Sequence, residues 1–76
     1  MIEAISRCAE RILALLEHTR EVNILHMSEL VQEKGVLAYQ ALGWLARDKR
    51  IIYVEKGSQT YISRSEEDAA APLPHG

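Results

Sequence analysis

The sequence carries a single cysteine, Cys8, and two prolines, and its longest uninterrupted apolar run near the N-terminus, Ile12 to Leu16, is five residues. One cysteine excludes an internal disulfide and gives no reason to expect an oxidising compartment, so a cytoplasmic setting is expected. A run of that length is too short to span a bilayer and lacks the flanks of a signal peptide, which predicts no membrane role. Metal-ligand spacing is lacking too: His18, His26 and His75 are far apart in sequence and Cys8 has no second thiol to join it, so neither a metal site nor a cofactor is expected. No nucleophile with a partnered base and no paired buried carboxylates can be assembled, and Ser28 has a sufficient role as a helix cap, so an enzyme is the least expected class. With 76 residues in all there is room for one core and no second domain.

What is present is ordinary globular material, 47% apolar and 26% charged, which argues against wholesale disorder or a fibrous repeat. The net charge of −2 is unevenly spread. Residues 1–33 hold three basic and six acidic groups, residues 34–64 six basic and two acidic, and residues 65–76 three acidic and none basic. The stretch from Lys34 to Arg64 is therefore a cationic block between two acidic ones.

Ile5, Cys8, Ala9, Ile12, Leu15 and Leu16 recur at steps of three and four and predict a first helix over about residues 2–18, with Arg7, Glu10, Arg11, Ala14 and His18 on its solvated side. Val22-Asn23-Ile24-Leu25 predicts a short strand. A second helix is expected from Ser28, acting as N-cap, to Lys34, ending at Gly35 as the left-handed residue. A third helix follows over Val36–Asp48, with Leu37, Ala38, Ala41, Leu42 and Leu45 on its apolar arc, Trp44 at the edge, and Val36, Tyr39, Gln40, Gly43 and Arg47 facing away. Arg50–Glu55 and Gln59–Ser63 predict two strands joined by Lys56-Gly57-Ser58 as a hairpin tip. From Ser65 the composition turns to acids, alanines and prolines, which predicts a disordered tail over 65–76 behind a domain of residues 1–64. Glu66-Glu67-Asp68 could fold back on the basic block, but a short acidic run is more often simply solvated.

Helix, strand, helix, turn, helix, hairpin is the order of a winged helix-turn-helix, an α+β class in which three helices pack on a small antiparallel sheet and the hairpin forms a wing. Ala41-Leu42-Gly43-Trp44-Leu45-Ala46-Arg47, followed by Lys49-Arg50-Ile51 and a hairpin, resembles a family of small prokaryotic winged-helix domains of uncharacterised function, over roughly residues 2–64. The resemblance implies the fold and a presumed nucleic-acid role, and it brings no catalytic residues. Val36-Leu37-Ala38 departs from the family pattern in being more apolar, which leaves fewer polar side chains to read bases.

In helix-turn-helix proteins the second helix of the motif, the third of this chain, enters the major groove. On that basis Gln40 suits an adenine edge, Arg47 a guanine or a phosphate, Gly43 a close backbone approach, and Tyr39 a phosphate, while Lys49, Arg50 and Lys56 would neutralise the backbone of double-stranded DNA. The plainer alternative is that Gly43 allows close helix packing and the cations are solvated surface. Three or four cations make a weak lone binder, and a homodimer would double them; Leu13 and Trp44 are interface candidates unless they are ordinary core. The alternative function is a protein-interaction or dimerisation module in which Tyr39, Trp44 and the apolar start of the third helix meet a partner.

Overall fold

The computed structural model describes residues 2–65. Helix α1 spans Ile2–His18, and the three-and-four periodicity lands as expected, with Cys8, Ala9, Ile12 and Leu16 buried on one stripe. Strand β1 (Glu21–Asn23) follows, then a 3₁₀ turn at Ile24–His26, helix α2 (Met27–Val31), helix α3 (Gly35–Arg47) and the hairpin of β2 (Ile51–Lys56) and β3 (Gln59–Arg64). The three strands form one antiparallel sheet in the order β1-β3-β2. The architecture is the α+β class expected, three helices on a three-stranded sheet.

A single core joins the two layers. Its largest fully buried side chains are Ile12 of α1, Met27 of α2, Leu42 and Leu45 of α3 and Ile62 of β3, with Cys8 among them. Register fixes which sheet face they meet. Val22, Ile62 and Tyr53 lie opposite one another across the three strands, and burial of Val22 and Ile62 marks theirs as the face under the helices. Asn23, Tyr61 and Val54 share the other face. Leu13, an interface candidate from sequence, is partly buried and packs against the core.

Burial pushes the Cys8 thiol above its ordinary value of 9.0, with the charge of Glu33 adding to the rise and that of Arg11 opposing it. A group whose protonated form is favoured in the folded chain loses stability once the unfolded thiol ionises. Stability should therefore decline as the pH rises past that ordinary value, where the unfolded thiol ionises and the folded one does not. At neutral pH a thiol reagent should modify Cys8 slowly, and at the rate of free cysteine in denaturant; fast labelling of the native chain would show that the helix opens readily at this point.

Several boundaries differ from the sequence expectation. The strand stops at Asn23 because the Asn23 side chain accepts the Leu25 N–H at 2.9 Å and caps a 3₁₀ turn there. The chain is already helical when it reaches Ser28, which therefore lies inside α2 and caps nothing; the residue preceding α2 is His26, with no side-chain cap. Helix α2 also ends early. Gln32 takes the left-handed conformation (φ 58°, ψ 46°), its N–H donating to Glu29 O at 3.2 Å and that of Glu33 to Ser28 O at 3.0 Å, which satisfies the last carbonyls. Gly35 is thus not the left-handed stop but the first residue of α3, behind an extended Lys34. Arg11 holds this corner to α1, donating to Glu33 at 2.8 Å and to the Val31 carbonyl at 3.4 Å.

At its far end α3 closes through a left-handed Lys49 (φ 60°), with the N–H of Lys49 donating to Ala46 O at 3.0 Å and that of Arg50 to Leu45 O at 2.9 Å. The hairpin turn is Gly57-Ser58 alone, with φ 64° at Gly57, the position that requires glycine in a type II′ turn. Lys56 belongs to β2 rather than to the tip. Ser65, assigned from composition to the tail, is buried: its N–H donates to Arg50 O at 3.0 Å and its hydroxyl to Lys49 O at 2.7 Å. The remaining tail residues, 66–76, lie outside the described ones.

Candidate nucleic-acid interface

Helix α3 is held from below by Ala38, Ala41, Leu42 and Leu45, all buried. Their spacing leaves an outward arc of Val36, Tyr39, Gln40, Gly43 and Arg47, and every one of these is exposed. Five consecutive members of one arc on a rigid, core-anchored helix are what a groove-reading or partner-docking element requires.

Gly43 sharpens the picture. A Cβ built there would meet nothing within 4 Å, so the chain's own packing does not need a glycine at this point. Glycine inside a helix costs roughly 0.5–1 kcal/mol relative to alanine. Gly43→Ala is accordingly expected to stabilise the fold by about 0.5–1 kcal/mol in chemical denaturation; a destabilised variant would mean that the helix is more crowded here than the geometry shows.

The arc is more apolar than a typical DNA-reading face. Val36 is 73% exposed, Tyr39 52% and Trp44 43%. The expected position of Trp44 at the edge of the buried arc is what the structure shows, and Trp44 is surface rather than core. Leu25 and Leu30, on the 3₁₀ turn and α2, are further exposed apolar side chains; a strand over 22–25 and a helix from Ser28 do not predict that exposure.

Of the cations singled out, Arg47 lies on the last turn of α3, and Lys49 and Arg50 on the turn that follows; all three are exposed. Lys56 is not brought to them. It closes β2, a strand of six residues, which at about 3.3 Å per residue separates it from the helix exit by roughly 17–20 Å. Its strand position is also of the parity that turns away from the helices, and its ammonium group pairs with Glu21 of β1 and lies 5.7 Å from the centroid of the Tyr61 ring. Lys56 therefore caps the open face of the sheet. Strand alternation is the signal that could have separated it from Lys49 and Arg50.

Among the described residues there is no group of His, Cys, Asp or Glu arranged to hold a metal ion, and no helix is long and apolar enough to cross a membrane.

Three helices on a β1-β3-β2 sheet, with α3 exposed and a two-strand hairpin behind it, define a winged helix-turn-helix domain. The solution NMR structure of protein BT2368 from Bacteroides thetaiotaomicron is similar to it, with a TM-score of 0.75 at 19% identity over 97% of this chain and 87% of that one. At that identity the likeness establishes the fold alone. No family model and no curated protein matches the chain.

Proposed function

We propose that the chain binds double-stranded DNA through the outward arc of α3, as a small transcriptional regulator. The observation that carries this reading is the exposed arc of Tyr39, Gln40, Gly43 and Arg47 on a helix whose other side is wholly committed to the core. Gln40 and Arg47 are side chains suited to base edges, and Gly43 leaves space for close approach of a phosphate backbone. Lys49 and Arg50, just beyond the helix, supply the cationic flank. Lys56 takes no part in the surface, being engaged by Glu21 on the opposite face of the sheet. The same proposal places the chain in the cytoplasm, where a single buried thiol stays reduced.

Fluorescence anisotropy with a random-sequence duplex at low salt tests the reading. Arg47→Ala should weaken binding several-fold and Lys56→Ala should leave it nearly unchanged. Gly43→Ala should weaken binding while stabilising the fold, a combination that a purely structural glycine does not produce. Undetectable binding at low salt, or no loss with Arg47→Ala, would sink the proposal.

A second reading is favoured by one specific observation, the exposed Val36, Tyr39 and Trp44 on the same helix. In it α3 meets a protein rather than DNA, because aromatic anchors of this kind are enriched at protein interfaces. Amide chemical-shift mapping with duplex DNA separates the two: shifts along Tyr39, Gln40, Gly43 and Arg47 support DNA, and an unperturbed α3 leaves the protein-partner reading.

A further inference from the structure

The sheet has two edges, and they are built differently. The β1 edge is only three residues long, opens with the charged Glu21 and bends at once into a 3₁₀ turn. Short length, charge and a bend are the ordinary means by which an edge is kept from pairing with another chain. The β2 edge has none of them along its first four residues: Ile51-Ile52-Tyr53-Val54 is uncharged, proline-free, rich in β-branched and aromatic residues, and carried on a regular ladder without a bulge. Ile52 is 44% exposed and Tyr53 48%.

Which backbone groups of β2 are free follows from the register. The Ser65 N–H bonds to Arg50 O, so the pair Arg50 and Ser65 is of the hydrogen-bonded kind. Alternation then makes the pairs of Ile52 with Ser63, Val54 with Tyr61 and Lys56 with Gln59 hydrogen-bonded as well. Ile51, Tyr53 and Glu55 consequently aim their N–H and C=O groups away from β3, along an edge on which no other described strand pairs.

We propose that β2 is a homodimer interface in which the β2 strands of two copies pair antiparallel about a two-fold axis at Tyr53, making one continuous six-stranded sheet. An antiparallel pair related by a two-fold normal to the sheet must be centred on a residue, since only then do opposed side chains share a face. Centring it on Tyr53 opposes Tyr53 to its own copy and Ile51 to Glu55 of the second chain, in both directions, so every outward-aimed backbone group of the strand finds a partner. Centring on Ile52 or Val54 leaves some of them unmade. The same register sets Ile52 against Val54 on the open face, where both strands then bury apolar side chains against each other, and stacks the two Tyr53 rings on the helix side. The one like-charge approach, Arg50 to Lys56 of the second copy, is offset by Glu21, which already neutralises Lys56.

A second copy fits this edge better than the chain's own continuation. The eleven residues after Ser65 include three acids and two prolines, and proline cannot supply the N–H groups that a ladder needs. The interface is independent of the α3 arc, so its success or failure leaves the DNA reading where it stands.

Sedimentation equilibrium of the full chain from micromolar to millimolar concentration is the first test, and the weight-average mass should rise toward twice that of the monomer. Ile52→Lys, at an exposed position that the fold does not need, should keep the far-ultraviolet circular dichroism and raise the dissociation constant roughly tenfold or more. Tyr53→Cys should give a disulfide-linked dimer on mild oxidation, because residues opposed in a hydrogen-bonded pair sit about 5.5 Å apart at Cα, within disulfide range. Ser58→Cys should not, since the two hairpin tips would lie roughly 30 Å apart. The amides of Ile51, Tyr53 and Glu55 should gain exchange protection with concentration. A mass that stays monomeric overturns the proposal, as does a dimer indifferent to Ile52→Lys in which Ser58→Cys cross-links as readily as Tyr53→Cys. A full chain that is monomeric but dimerises once residues 66–76 are removed also overturns it, by giving the edge to the chain's own tail.

Discussion

Replacing Leu42 with alanine is expected to leave a large fraction of the chain unfolded at room temperature. Leu42 is fully buried on α3 and belongs to the cluster that includes Ile12, Met27, Leu45 and Ile62, the cluster that joins the three helices and the sheet. Truncating a buried leucine costs about 2–5 kcal/mol, the lost transfer energy plus the cavity left behind. A domain of this size draws only about 3–5 kcal/mol of net stability from its core. The two figures are comparable, and the larger end of the first exceeds the second. Urea denaturation followed by circular dichroism is the measurement, with Val36→Ala as control on the same helix; at a site so exposed its effect should stay within about 0.5 kcal/mol. A Leu42→Ala variant with an unchanged midpoint would mean that α3 is not the element on which the core closes.

If α3 holds DNA as proposed, raising the salt concentration fourfold weakens that binding by roughly 40- to 150-fold. The figure comes from counterion release, in which each neutralised phosphate contributes about −0.9 to the slope of log K against log salt. Three or four contacts are what the arrangement offers, from Arg47, Lys49 and Arg50 at the end of α3 and Lys34 in front of it, all exposed. Arg47→Ala should reduce the slope by about one, whereas Lys56→Ala should leave it alone because Glu21 already compensates that charge. A slope near zero would mean that what binds is not held by phosphates, and would turn attention to Val36, Tyr39 and Trp44.

The fold was legible wherever one signal dominated. The stripe from Ile5 to Leu16 has no competitor, so α1 is found to the residue, and the opposed arcs of α3 are found with its ends displaced by one position. Around α2 the sequence misleads because the deciding interactions are individual side-chain and backbone hydrogen bonds that periodicity does not report. Asn23 caps a 3₁₀ turn that leads into α2, so that Ser28, expected as the N-cap of that helix, lies inside it, and Gln32 takes a conformation that glycine would more comfortably hold, leaving Gly35 to begin a helix. For the candidate interface, exposure of Tyr39, Gln40, Gly43 and Arg47 follows from the helical period alone. Whether Gly43 serves packing could not be read from sequence, because it depends on which atoms lie beside it, and none do. Nearness in sequence groups Lys56 with Lys49 and Arg50, although a strand separates them and turns Lys56 to the other face. The unprotected β2 edge was hidden for a related reason, since a strand's position within its sheet is a property of pairing and not of the strand.

The bonds from Ser65 to Lys49 and Arg50 join the two ends of the hairpin at the exit of α3. Ser65 thereby ties the end of β3 to the two backbone carbonyls that follow α3, beside Arg47, Lys49 and Arg50. A substitution at Ser65 would therefore act at a distance in sequence on the exit of α3, by releasing the Lys49 carbonyl that its hydroxyl holds.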